Sequence, residues 1–163
     1  MNKTHFFWIY LLCFISVLVS VPKAFSHGDE KNEEKTIKSQ IVITKAYARE
    51  TIPGTNLSSM YMSIKNNSNK TLSLIGVSSD ISDRIEIHQH TMNNGIMKMG
   101  KVDAIKVEAN ASVTLAPYGF HLMVFNLKAP LKAGKSATIN LHFENEISQI
   151  VQVPVVSIKA QQH

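Results

Sequence analysis

An all-β fold, an antiparallel sandwich or Greek-key barrel, is what this sequence predicts, on three observations. Apolar residues through the body of the chain alternate with period two rather than the period of a helix. The alternating runs are short, rich in β-branched and aromatic residues, and recur roughly every ten to twelve residues, as strands of such folds do. Clusters of Asn, Gly, Asp, Pro and Ser separate them, and no long amphipathic segment intervenes.

The chain has 163 residues. Residues 1–26 form a secretory leader. Lys3 supplies the positive start, Phe6 to Val21 the apolar stretch, and Ala24-Phe25-Ser26 the cleavage site. The stretch is about sixteen residues, short of the roughly 20 that span a bilayer, so cleavage after Ser26 is expected and stable membrane insertion afterwards is not. A lipid anchor is discounted, because Cys13 lies inside the apolar run and follows Leu12 rather than a small residue. Residues 27–38, "HGDEKNEEKTIK", are charged and read as a flexible segment. The folded unit is placed at 39–157, and residues 158–163 are a short polar tail. Within the folded unit the strand runs are "QIVITKAYAR", "LSSMYMSIKN", "TLSLIGVSS", "RIEIHQH" with its partner after "NNG", "AIKVEAN", "SVTLAPYG", "FHLMVFNLK", "SATINLHFEN" and "SQIVQVPVVS". "NNSNK", "NNG", "PYG" and "KAG" are turn signals.

Composition excludes several functions. The net charge of +5 includes Lys3 and Lys23 of the leader, and the remaining excess is spread out with no basic run interleaved with aromatics, which argues against nucleic-acid binding. Cys13 is the sole cysteine and leaves with the leader. The mature protein then has neither disulfide nor thiolate, so packing alone holds it together and a blue-copper site is ruled out. No nucleophile motif is present, and the carboxylates Glu86, Glu108, Glu144 and Asp103 are scattered as solvated charges would be, so an enzyme is not expected.

The unusual stretch is "EIHQHTMNNGIMKMG". Asn93-Asn94-Gly95 is a tight-turn signal, since Asn and Gly accept positive φ. Residues two apart on a strand face one side, so His88, His90 and Met92 share a face of the incoming strand and Met97 and Met99 a face of the outgoing one. An even loop makes those faces coincide: pairing around Asn94-Gly95 sets His90 opposite Met99, and pairing around Asn93-Asn94 sets His88 opposite Met99, whereas a three-residue loop splits the two groups onto opposite faces. Further on, His121 and Met123 share a face of another run, with Leu122 and Val124 turned to the core. Met60 and Met62 read as core filler, and His142 and His163 as surface or hydrogen-bonded residues.

Imidazole plus thioether without thiolate is a ligand set for Cu(I). Thioether sulfur is soft and uncharged and discriminates against Zn(II), Mg(II) and Ca(II). Outside the cytoplasm it has a further merit, since paired thiolates there oxidise to disulfides.

The spacing His88, ten residues, Met99, twenty-one residues, His121-x-Met123 resembles the H-x(10)-M-x(21)-H-x-M pattern of the PCuAC family of periplasmic copper chaperones. The surroundings are similar too, in "MYMSIKN", "PYGFHLMVFNLKAPLKAG" and "VQVPV". The resemblance implies a cupredoxin-like β-sandwich holding one Cu(I) through His88, Met99, His121 and Met123. It also implies delivery to the dinuclear copper centre of the copper-bearing subunit of cytochrome c oxidase, alongside a Sco-type thiol protein. The chain lacks the long His/Met-rich tail of some members, so no second site is expected there.

His90 and Met97 are extras on the same face, as alternate ligands during transfer or as docking residues. His27, the new N-terminus after cleavage, offers an amine and an imidazole for a weak second site taking Cu(II). Two rival readings stand beside delivery: a periplasmic storage or resistance protein, and a secreted structural sandwich whose methionines are packing.

Overall fold

The computed structural model describes residues 40–157. The expected leader, the charged segment with His27, and the tail with His163 lie outside those residues.

Ten strands form, in chain order: β1 (Ile41–Arg49), β2 (Ser58–Asn66), β3 (Leu72–Ser78), β4 (Arg84–Asn93), β5 (Ile96–Lys101), β6 (Ile105–Val107), β7 (Ser112–Leu115), β8 (Phe120–Phe125), β9 (Ser136–Phe143) and β10 (Ser148–Val156). They hydrogen-bond in the order β5-β4-β8-β7-β2-β1-β10-β9-β3-β6. The expected all-β, cupredoxin-like sandwich is what forms, its two layers meeting at the β1–β10 seam. That seam is parallel, pairing Ala48 with Val155 and Arg49 with Val156, and β7 meets β8 in parallel at Leu115 and Phe120; the other pairings are antiparallel. A parallel pair of strands needs a long crossover, and for β1 and β10 nearly the whole domain is that crossover, while β7 and β8 touch through a single residue pair across a short turn.

Alternation assigns the faces. On β2, Met60, Met62 and Ile64 point inward and are fully buried, as expected for core filler, so Ser59, Tyr61 and Ser63 face outward. The same pattern sends Leu122 and Val124 of β8, Ile139, Leu141 and Phe143 of β9, and Val151, Val153 and Val155 of β10 into one shared core.

On β1 the alternation slips. Thr44 pairs with Ser63 but Tyr47 pairs with Tyr61, so one extra residue is accommodated at Lys45, whose φ is +53°. Without this bulge Tyr47 would point into the core. With it, Tyr47 and Tyr61 lie together on the outer face, ring centroids 4.9 Å apart.

Candidate metal centre

Strand β4 carries the site because it has β5 on one side and β8 on the other. Ile87 is buried on its inner face, which leaves Glu86, His88, His90 and Met92 outward. The β4–β5 hairpin turns at Asn94 and Gly95, with φ of +50° and +76°. Positive φ at both central residues is the geometry that matches the twist of the flanking strands. The loop is therefore even, His90 stands opposite Met99, Met92 opposite Met97, and His88 opposite Lys101. On the other side of β4, His88 pairs with His121 and Glu86 with Met123. All four residues of the spacing pattern thus lie on one face of three adjacent strands.

Three imidazoles form the centre. The rings of His88 and His121 are 6.0 Å apart, and His90 stacks on His121 at 4.9 Å. His88 is only 8% exposed and His121 only 3%. Phe125 backs His88 at 5.8 Å, Tyr61 flanks His121 at 6.3 Å, and Tyr118 stands 6.1 Å from His90. The thioethers lie to either side, Met123 partly buried diagonally across from His88, and Met99 exposed diagonally on the other flank. Among the described residues no group of three or more His, Cys, Asp or Glu could hold a metal ion by itself; the thioethers beside these imidazoles are further donors, soft ones. His90, ranked in the sequence as an extra, sits closer to His121 than His88 does.

Hydrogen bonds select the free nitrogens. His121 donates Nδ1–H to the carbonyl of Gly119 at 3.1 Å, which leaves its Nε2 lone pair available. His88 donates Nε2–H to Glu86 Oε2 at 2.8 Å, and its buried Nδ1 has no hydrogen-bond partner; the buried Nδ1 of His90 has none either. A buried polar atom without a partner costs stability, and one aimed among other ligand atoms is what a metal would satisfy. Glu86 in turn accepts from Arg84 Nε at 2.8 Å, and the Arg84 guanidinium lies over the Phe125 ring at 4.4 Å.

Glu86 corrects a sequence expectation. It is not a scattered solvated charge but the residue that sets the His88 tautomer. The signal was available in the Glu-x-His spacing, since residues two apart on a strand share a face. Glu108, by contrast, is exposed and accepts from Thr71 Oγ1 at 2.6 Å, as a surface carboxylate should. His142 also behaves as expected, bonded to Ser78 Oγ at 2.7 Å away from the centre.

Burial holds the His121 imidazole below the usual histidine value of 6.5, and its neighbours His90 and His88 add to this, while the bond to the Gly119 carbonyl opposes it. An unfolded chain therefore protonates His121 first, and between 6.5 and the lower folded value the unfolded state binds more protons. Stability consequently is lost as pH falls through that window. The bond from His88, and then Arg84, holds the Glu86 carboxyl below its usual 4.5; its contribution is present above 4.5 and is lost as pH falls through the folded value. The copper-free protein should show a Tm that declines as pH drops below about 6.5 and again below about 4.5. Differential scanning calorimetry checks this; a Tm unchanged from neutral pH to the acid side of the histidine range would contradict the buried neutral imidazole.

The profile of a family described as "Putative lipoprotein LpqE-like" matches residues 41–155, every strand up to the penultimate residue of β10. The chain belongs to the LpqE-like family. The match begins well after Cys13, the only cysteine in this LpqE-like chain. A relative from Leifsonia xyli subsp. xyli, "Putative lipoprotein Lxx21020", is 28% identical over 116 residues, covering 71% of this chain and 69% of its own. "Uncharacterized protein RP573" of Rickettsia prowazekii (strain Madrid E) is 36% identical over 101 residues, 61% of this chain; the chain spans just over half of that relative, 56%.

Among solved structures, the copper-bound PCuAC domain from PmoF2 is similar with a TM-score of 0.62 at 24% identity, covering 72% of this chain and 93% of that domain. The solution structure of CuI-DR1885 from Deinococcus radiodurans is similar at a TM-score of 0.57 and 24% identity, covering 75% and 84%. The LpqE-like chain therefore has the PCuAC-type fold. Among its described residues no helix is long and apolar enough to cross a membrane.

Proposed function

We propose that this protein is a periplasmic Cu(I) metallochaperone, not an enzyme, that binds one ion through His88, Met99, His121 and Met123. It delivers that ion to the dinuclear copper centre of cytochrome c oxidase, with a Sco-type thiol protein as a further partner. One observation carries the reading: buried imidazoles with unpartnered Nδ1 atoms share an outward face with thioethers on both flanks. The PCuAC-type fold, which copper-bound proteins share, supports it. Neutral thioethers suit a carrier, because an incoming ligand of the recipient displaces them without a proton having to move.

Met99→Leu and Met123→Leu test the ligand set. Leucine conserves volume, so the fold should lose less than about 1.5 kcal/mol. Each variant should bind Cu(I) about tenfold or more weakly in a competitive titration, a loss of about 1.4 kcal/mol or more. Wild-type affinity in both would remove the assignment. X-ray absorption on the loaded protein counts sulfur against nitrogen neighbours directly. Delivery, as opposed to storage, predicts that a deletion strain loses oxidase activity and regains it with added copper.

A further inference from the structure

Three methionines at the β4–β5 hairpin are not explained by packing. Met92 is 65% exposed, Met97 47% and Met99 50%. Filling a core gap, which accounts for Met60 and Met62, does not account for side chains that stand in water. Their register is specific. Met92 lies directly opposite Met97, and Met99 is the next residue inward on the same face, diagonal to Met92 and opposite His90. Directly opposed side chains start with Cβ atoms roughly 4.5–5.5 Å apart and diagonal ones somewhat farther, within reach of three long, flexible thioethers. The same face then continues inward through His90 to His88 and His121, where the unpartnered Nδ1 atoms of His88 and His90 are buried.

Resting on the Cu(I) reading above, we propose that Met92, Met97 and Met99 form a second, solvent-facing Cu(I) site where the ion lands before moving inward. A set of three neutral sulfurs excludes hard and borderline divalent ions and retains a soft monovalent one weakly enough to release it. Met99 belongs to both sites and is the pivot between them. As the bonds from copper to Met92 and Met97 sulfur break, bonds to imidazole nitrogen and Met123 sulfur form. The ion stays Cu(I), and no proton is released, because thioethers and the lone pairs of neutral imidazoles bind as they stand.

An apolar docking face for a partner protein is the competing use of the same residues. Leucine at both tip positions separates the two, since it retains apolar area and removes sulfur. The test titrates the full-length protein, labelled with carbon-13 at the methionine methyls, with Cu(I) under anaerobic conditions and with Ag(I) as a redox-inert soft probe. The first equivalent should shift Met99 and Met123; a second, weaker equivalent, held by the two tip sulfurs left once Met99 is engaged inside, should shift Met92 and Met97. The Met92→Leu/Met97→Leu variant should keep the first equivalent at wild-type affinity and lose the second, with an unchanged Tm. Met92 and Met97 signals that ignore the second equivalent, or a double variant that still takes it up, would overturn the landing site while leaving the inner site standing. If instead the first equivalent fails to move Met99 and Met123, the underlying Cu(I) reading falls.

Discussion

His121→Ala should lower Cu(I) affinity by more than about 100-fold, beyond the roughly 10–100-fold that losing a supporting residue around a metal typically costs. The expectation follows from position. His121 is the most buried of the three imidazoles, it neighbours both of the others, and its Nδ1 is committed to the Gly119 carbonyl so that only Nε2 is free to bind. Alanine removes that nitrogen from beside both of the other imidazoles. The fold should survive, because His121 lies on the outer face while Leu122 and Val124 hold β8 to the core. Competition against a chromophoric Cu(I) chelator, with circular dichroism as the control for folding, measures the loss. A variant that binds within a few-fold of wild type would mean that copper is held elsewhere.

Glu86→Leu should cost about 10–100-fold in Cu(I) affinity although Glu86 carries no soft ligand atom. The carboxylate accepts the His88 Nε2 proton at 2.8 Å and so keeps the Nδ1 lone pair free inside the site. Leucine releases that constraint, the imidazole redistributes between tautomers and rotamers, and the population with Nδ1 available falls. Glu86→Gln is the informative companion, since its amide oxygen can still accept the proton and should recover most of the affinity. Nitrogen-15 NMR of the His88 ring provides a readout independent of binding: the copper-free wild type should show the Nε2–H form, and the leucine variant a mixture. An unchanged tautomer in Glu86→Leu would reduce Glu86 to a surface charge.

These two residues show how unevenly the centre could be read from the chain. His121 was legible because a histidine and a methionine two apart on an apolar run must share a face, with the intervening Leu122 turned to the core. Glu86 was passed over because a lone carboxylate two residues from a histidine is common, and only burial of the histidine gives the contact meaning. The position of His90 is hidden for a related reason. Alternation puts it on the correct face, but its stacking against His121 depends on where β8 docks, and nothing local to either strand specifies that. The bulge at Lys45, which turns Tyr47 outward to meet Tyr61, has no glycine or asparagine to announce it.

By itself the sequence determined the strand inventory, the inward and outward sets on β2, β4 and β8, and a tight turn within Asn93-Asn94-Gly95, because each depends on side-chain period or on the φ preference of one or two residues. Tertiary structure alone decided that β8 lies between β4 and β2, that β1 closes against β10 in parallel, and that His88 meets His121 across the gap between β4 and β8. Those outcomes depend on pairings between residues far apart in the chain, chosen by the total burial of the core rather than by any local preference.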